Sequence, residues 1–157
     1  MKTALLALAA LTISATGIAA TPSRTIEVRD VNVHLFLTPS GELSNDIAAL
    51  PGFSSWNFRA AMPIEPKDEE FKSYLVKVRL GASGSLFQKG SIGSITVRSV
   101  KTKKVLYASV ISNLYIPDKG QTVVARLVDG HVCEPVEVIA SVGKSSMTKR
   151  INFECGE

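Results

Sequence analysis

The sequence predicts an all-β fold, namely an antiparallel β-sandwich of the immunoglobulin-like or a related Greek-key type with seven or eight strands. Three observations support this prediction: apolar and polar residues alternate over most of the chain, valine dominates the alternating stretches, and glycine and proline punctuate them. Helical spacing occurs at 43–50, which allows one or two short helical turns. A small β-barrel is the alternative architecture.

The N-terminal segment has the pattern of a removable export signal. Lys2 is followed by an apolar run over 4–13 and by small residues up to Ala20. The run is shorter than the roughly 20 residues that a membrane-spanning helix needs. We therefore expect a signal peptide at 1–20 and a single β-sandwich domain at 21–157. The destination is the periplasm or the extracellular space, and the short signal and the lack of an Asn-x-Ser/Thr acceptor favour a bacterial source.

Net charge and hydropathy restrict the class of partner. The chain has a formal charge of +4, which falls to +3 once Lys2 leaves with the signal. This is far from the concentrated positive charge of nucleic-acid-binding proteins, so no nucleic-acid partner is expected. No apolar stretch beyond the signal approaches membrane length, so no membrane span is expected either.

The first strand is predicted over 26–37, with a shift of one residue in its alternation at Val31. Such a shift requires a β-bulge or a strand that crosses between sheets, and we interpret it as a bent strand that serves two sheets. Residues 38–70 are irregular and rich in proline, with a short strand expected over 53–62.

The middle of the chain alternates more regularly. A strand is predicted over 73–80, and the four glycines of 81–93 predict a loop. The next strand is predicted to begin at Ile95 and to end before a turn at 101–104. A further strand follows over 105–115, and both of its faces carry apolar residues.

A turn signal follows at Pro117-Asp118-Lys119-Gly120, and it predicts a bulged hairpin. The strand after it is expected to end at the turn dipeptide Asp129-Gly130.

Two cysteines flank the last predicted hairpin. With a three-residue loop at 143–145, Val142 faces Ser146 and Cys133 faces Cys155. These are the only cysteines in the chain, and exported proteins fold in oxidising compartments, so we expect a disulfide between them. Two free buried thiols are the alternative.

No residue pattern indicates an active site, a metal or a cofactor. His34 and His131 stand alone, and the glycine-serine stretches at 81–85 and 90–93 lack the Gly-x-Ser-x-Gly spacing of a serine nucleophile. The acidic run at 68–70 could contribute to a calcium site, but it lacks the regular series of ligands, and a solvated turn is the alternative. We therefore expect a protein without catalytic activity.

An aromatic segment is the first candidate for a partner-binding site. Phe53, Trp56, Phe58 and Arg59 are residue types that contribute most at protein interfaces, and they lie between prolines and glycines. The alternative is a loop whose aromatic side chains plug one end of the sandwich.

A basic patch is the second candidate. Arg98, Lys101, Lys103 and Lys104 surround one predicted turn and could steer an acidic partner. Lysines that prevent sheet-to-sheet aggregation are the alternative.

Together these features predict an exported, non-catalytic protein-binding module, an inhibitor or immunity-type protein that occludes another exported protein. The first alternative is an assembly component of a surface fibre or secretion apparatus that uses strand addition at an open edge. The second is a sandwich that binds a carbohydrate or another small ligand in a deep pocket. The sequence carries no signal for an oligomeric state.

The expected disulfide predicts a measurable contribution to stability. The double variant Cys133→Ser/Cys155→Ser should lose roughly 3 kcal/mol of unfolding free energy, because closing this loop restricts the unfolded chain. Urea denaturation measures the difference. Alkylation of both thiols in secreted protein that has never been reduced would contradict the prediction.

Overall fold

The computed structural model describes residues 25–51, 53, 61, 70–130 and 133–153, and these form seven antiparallel strands in two sheets. The strands are β1 (Glu27–Thr38), β2 (Glu70–Gly81), β3 (Leu86–Ser99), β4 (Val105–Ile116), β5 (Gln121–Asp129), β6 (Pro135–Val142) and β7 (Ser145–Asn152). The described residues contain no helix, and therefore none that could cross a bilayer. The predicted β-sandwich is confirmed.

The order of the strands is that of an immunoglobulin-like sandwich. The first sheet has the order β1-β2-β5 and the second has the order β4-β3-β6-β7. If the seven strands are lettered A, B, C, C′, E, F and G, the sheets are A-B-E and C′-C-F-G. The fourth strand therefore extends the sheet of the third strand, and β4 and β5 become the outermost strands on the same side of the sandwich.

The core lies between the sheets and is filled by the alternate residues of the strands. It includes fully buried valine, leucine and isoleucine side chains from both sheets: Val31, Val33, Leu35, Val76, Val78, Leu80, Ile95, Val97, Ile111, Val136, Val138 and Ile151. Burial of each such side chain contributes about 1.5–3 kcal/mol. The period-two pattern in the sequence is thus explained by one buried face on each strand.

A β-bulge in β1 absorbs the shift in its alternation. Val28 pairs with Leu80 and Asp30 pairs with Arg79, which leaves Arg29 as the extra residue. Within the described residues β1 forms a ladder with β2 alone, so the prediction of a strand shared between two sheets is wrong. The bulge keeps the later side chains on the core face, and no change of sheet is needed.

The chain after β1 folds back along the outer edge of that strand. Three backbone hydrogen bonds join the two segments: Leu37 N–H to Glu42 O, Ser44 N–H to Leu35 O and Ile47 N–H to Val33 O. Side chains of Ser44 and Asp46 accept further bonds from the amides of Leu35 and Val33. These bonds hold 42–47 extended beside β1, so a turn at 46–49 stands where one or two helical turns were expected.

The predicted loop over 81–93 is wrong, because β3 already begins at Leu86. Its first half pairs with β4 and contains irregularities between Gln88 and Gly93. Gly90 adopts φ +81°, in the left-handed region that glycine accepts without strain. The glycines therefore allow bulges within a strand and do not end it.

The turn after β4 forms as predicted, but it connects two strands that lie in different sheets. Gly120 adopts φ +72°, and its N–H donates to Pro117 O at 2.7 Å. A Cβ at Gly120 would lie 2.6 Å from the Ala82 carbonyl, so only glycine fits. The predicted hairpin is wrong, because the turn carries the chain from the second sheet to the first. The turn residues specify only that the chain reverses its direction. The sheet that β5 joins is determined by its pairing with β2.

The last hairpin differs from the predicted register by one residue. Val142 pairs with Ser145 across a two-residue turn, and Gly143 takes φ +55° at its first central position, as in a type II′ turn. Cys133 lies before the first ladder pair of β6, and Cys155 lies outside the described residues. The described part of the chain contains no free cysteine. The disulfide between Cys133 and Cys155 stays a prediction. The observed register no longer places these two positions directly opposite each other.

An aromatic cluster closes the end of the sandwich where β7 finishes. Phe153 is fully buried, and its ring centroid lies 5.2 Å from Tyr74, 6.2 Å from Phe53 and 6.5 Å from Phe71. Burial raises the pKa of the Tyr74 hydroxyl far above its usual range. This packing makes Phe153 the central side chain of the cluster.

Truncation of Phe153 tests the packing. Phe153→Ala should lower the unfolding free energy by about 3–5 kcal/mol, because it leaves a cavity among three aromatic rings. Phe87→Ala is the matched control, since Phe87 is 62% exposed and its loss should change stability by about 0.5 kcal/mol or less. Chemical denaturation measures both, and equal losses would contradict the assignment of Phe153 to the core.

Candidate protein-binding surface

The exposed large apolar side chains of the described residues lie mainly on β4 and β5, the neighbouring edge strands of the two sheets, and each strand carries them on the outer face of its own sheet. All the large ones lie on β3, β4 or β5: Phe87, Val105, Leu106, Val110, Tyr115, Val123 and Leu127. We call the six on β4 and β5 the apolar side. Val110 and Val123 are 55% and 56% exposed although each lies on a strand. Exposed apolar groups that gather in one region mark a site of contact with other molecules.

β4 is an edge strand without any charged residue or proline over Val105–Ile116. A bulge at Leu106 and a left-handed Asn113, with φ 51°, interrupt its ends. Between them 107–112 pairs with β3 on one side only, and the ladder is regular over 107–111. Such an edge presents unpaired backbone N–H and C=O groups to another chain.

The other edge strands carry features that block such pairing. β1 is covered by 42–47. β7 bears Lys149 and Arg150, and β5 has Arg126 among its inward positions. Charged residues on an edge and charges that point inward both discourage the addition of a strand. Among the four described edges β4 alone has neither a covering segment nor a charged residue, and its bulge at Leu106 and its left-handed Asn113 lie outside 107–112.

Arg126 connects β5 to the edge of β4. Its Nε donates to Ser109 Oγ at 2.9 Å, its Nη2 to the Val110 carbonyl at 3.3 Å and its Nη1 to the Ala125 carbonyl at 2.8 Å. Each acceptor is neutral, and no carboxylate among the described residues forms an ion pair with Arg126. The guanidinium charge beside the apolar side is therefore not neutralised by the described part of the chain.

The predicted basic patch surrounds the turn between β3 and β4, and Glu137 partly neutralises it. Arg98 Nε lies 2.6 Å from one carboxylate oxygen of Glu137, and Lys103 Nζ lies 3.6 Å from the other. The hydrogen bond from Arg98, with a smaller contribution from Lys103, lowers the pKa of Glu137. Lys101 and Lys104 are exposed. A steering role for this patch stays a prediction.

The predicted aromatic segment is described at one residue. Phe53 is buried and meets Phe153 edge-on, a position that favours the alternative of a core plug. Trp56, Phe58 and Arg59 lie outside the described residues, so their proposed contact with a partner stays a prediction. The predicted signal peptide at 1–20 lies outside them as well, and it stays a prediction.

The histidines and acidic residues form no recognisable site in the described part of the chain. His34 Nδ1 lies 2.8 Å from the Ser44 carbonyl, which fixes its ring against the segment beside β1. His131 and most of the acidic run at 68–70 lie outside the described residues. No three potential metal ligands come together within the described ranges.

A cleft of about 770 Å³ opens at the end of the sandwich opposite the aromatic cluster. It is lined by the start of β1, the first half of β3 and the β6–β7 turn: Thr25, Ile26, Glu27, Val28, Gln88, Ser91, Ile92, Val142, Gly143, Lys144 and Ser145. Ser145 Oγ accepts the Val28 amide at 2.9 Å, so this hydroxyl joins the two sheets. Glu27 and Lys144 supply the ionisable groups of the lining, and they resemble no catalytic arrangement.

The apolar side was not among the sequence-predicted sites, although a signal for it exists. β4 is apolar on both faces, and twelve consecutive residues without a charge are unusual for a strand at an edge. The position of β4 at an edge, however, depends on which sheet it joins. No sequence pattern singles out Arg126 either, because its contacts with Ser109 and Val110 depend on the position of β5 beside β4.

Neither a protein-family model nor a curated protein matches this chain.

The ion pairs of Glu137 predict a pH-dependent contribution to stability. Because its folded-state pKa is lowered, the carboxylate stabilises the fold above its ordinary pKa, and this contribution disappears as the pH falls through the folded-state pKa. Glu137→Gln should therefore lower the urea midpoint at pH 7 and have less effect at pH 3. Glu42→Gln, at an exposed position, is the control and should show a smaller effect at pH 7. An equal effect of Glu137→Gln at both pH values would contradict the prediction.

Proposed function

We propose that this protein is an exported, non-catalytic protein-binding module that occludes a partner, in the manner of an inhibitor or immunity protein. The observation that carries the proposal is the concentration of exposed apolar side chains on β4 and β5. The partner is another exported protein, because 1–20 has the pattern of an export signal.

The composition of the apolar side suits a protein interface. Leu106, Val110 and Leu127 supply apolar surface, Tyr115 supplies an aromatic ring, and Arg126 supplies the charged residue that is most frequent at energetic hot spots. The two sheets hold these residues on regular strands, so little conformational entropy is lost when they are covered.

A second candidate function is assembly by strand addition, as in a subunit or accessory component of a surface fibre or secretion apparatus. The specific observation is the uncharged edge of β4 over 107–112, which has room for a further strand on the side away from β3. Both functions use the same surface. They differ in whether the partner is blocked or built into an assembly.

Site-specific photo-crosslinking tests the proposal. A photoreactive phenylalanine analogue is placed at Val110, and at Thr148 as the control, because both are exposed on the outer face of the second sheet, at its opposite edges. In cells that make the protein with its own export segment, Val110 should yield a defined crosslinked protein. Thr148 should yield it at about one tenth of that level or less, as expected for a position outside a specific interface.

Mass spectrometry of the crosslinked species identifies the partner. It also gives the N-terminal residue of the exported protein, which tests the predicted removal of 1–20. No crosslink at Val110, or equal crosslinks at both positions, would overturn the proposed binding surface.

A further inference from the structure

The free edge of β4 and the guanidinium of Arg126 form one continuous feature. The Val110 carbonyl belongs to this edge and accepts a hydrogen bond from Arg126 Nη2. We infer that 107–112 receives an extended segment of another protein, and that this segment carries a carboxylate opposite Arg126. The inference rests on the proposed protein-binding function and specifies the chemistry of the partner.

The backbone of β4 determines the shape of the partner. Because 107–112 is paired with β3 on one side only, its alternate N–H and C=O groups point to the free side. An extended segment can satisfy these groups over several residues. A helix cannot do so, since its backbone groups are already bonded within the helix.

Arg126 determines the charge of the partner. Its guanidinium lies within hydrogen-bonding distance of Ser109 and Val110, which are part of the edge that an added strand would cover. The three acceptors that it has in the described structure are neutral. A carboxylate on the added strand would accept a charge-assisted hydrogen bond from the guanidinium N–H groups that these three acceptors leave free, and the described part of this chain supplies no such partner.

The same residue argues against a second copy of this chain as the occupant. A symmetric pairing of β4 with β4 would centre on the free edge over 107–112, at Ser109 and Val110. The two Arg126 side chains would then approach each other from the β5 strands on the same face, and like charges at short distance are repulsive. Arg126 thus disfavours self-pairing and favours an acidic strand.

The two faces of the added strand meet different surroundings. On the face towards β5 its side chains would approach Arg126, and this is where the carboxylate belongs. On the opposite face they would lie beside Ala108 and Val110, which are exposed and apolar. The partner segment is therefore expected to alternate apolar residues on one face with polar residues, including one carboxylate, on the other.

A pair of capped peptides tests the inference. Each has seven residues, with valine at the odd positions and threonine at positions 2 and 6. Position 4 is glutamate in one peptide and glutamine in the other. Titration into the isotope-labelled mature protein should shift the amide signals of 107–112, and the glutamate peptide should bind about fivefold more tightly, as for a well-formed ion pair. The wild-type comparison needs no substitution, so it does not depend on the folding of a variant.

Two variants of equal charge complete the test. Arg126→Met should abolish the difference between the peptides and should raise self-association in sedimentation velocity experiments. Lys77→Met, which removes a positive charge from the middle strand of the first sheet, should do neither.

Equal binding of the two peptides to the wild-type protein, or signal changes elsewhere than on β4, would overturn the inference. If Val110 still crosslinks to a partner, that result leaves the proposed function intact. A lack of crosslinking at Val110 would instead overturn the proposed function itself.

Discussion

A strand at the edge of a sheet has backbone N–H and C=O groups without partners on one side, and this constraint accounts for much of the architecture. The two sheets have four edges, and three of them are protected. A returning segment at 42–47 covers β1, Lys149 and Arg150 charge β7, and Arg126 lies at an inward position of β5. β4 has neither a covering segment nor a charged residue, although β4 and β1 are the two longest edge strands.

The uncharged and uncovered edge of β4 is the feature that connects the fold to the proposed function. An immunoglobulin-like sandwich needs buried side chains only on the inner face of each strand, yet β4 and β5 carry apolar side chains on the outer face as well. These residues add little to the folded core. The proposed contact with another molecule would account for their exposure, and Arg126 would supply the polar specificity that apolar contact lacks.

The sequence predicted the fold class because alternation and turn chemistry are local, and both survive in the structure. It failed at one local turn, and it failed where the outcome depends on distant strands. The β6–β7 register differed by one residue because a two-residue turn at Gly143 replaced a three-residue loop. The proposed binding surface could not be predicted, because Val110 and Arg126 come close together only when β4 joins the second sheet and β5 joins the first.

Amide hydrogen exchange tests the central claim most directly. In the free protein the amides of 107–112 that point away from β3 should exchange fast, whereas the outward amides of Val33, Leu35 and Leu37 should exchange slowly, because 42–47 holds them in hydrogen bonds. Addition of the partner should slow the outward amides of β4. Equal protection of β1 and β4 in the free protein would show that the β4 edge is already closed, and would contradict the account.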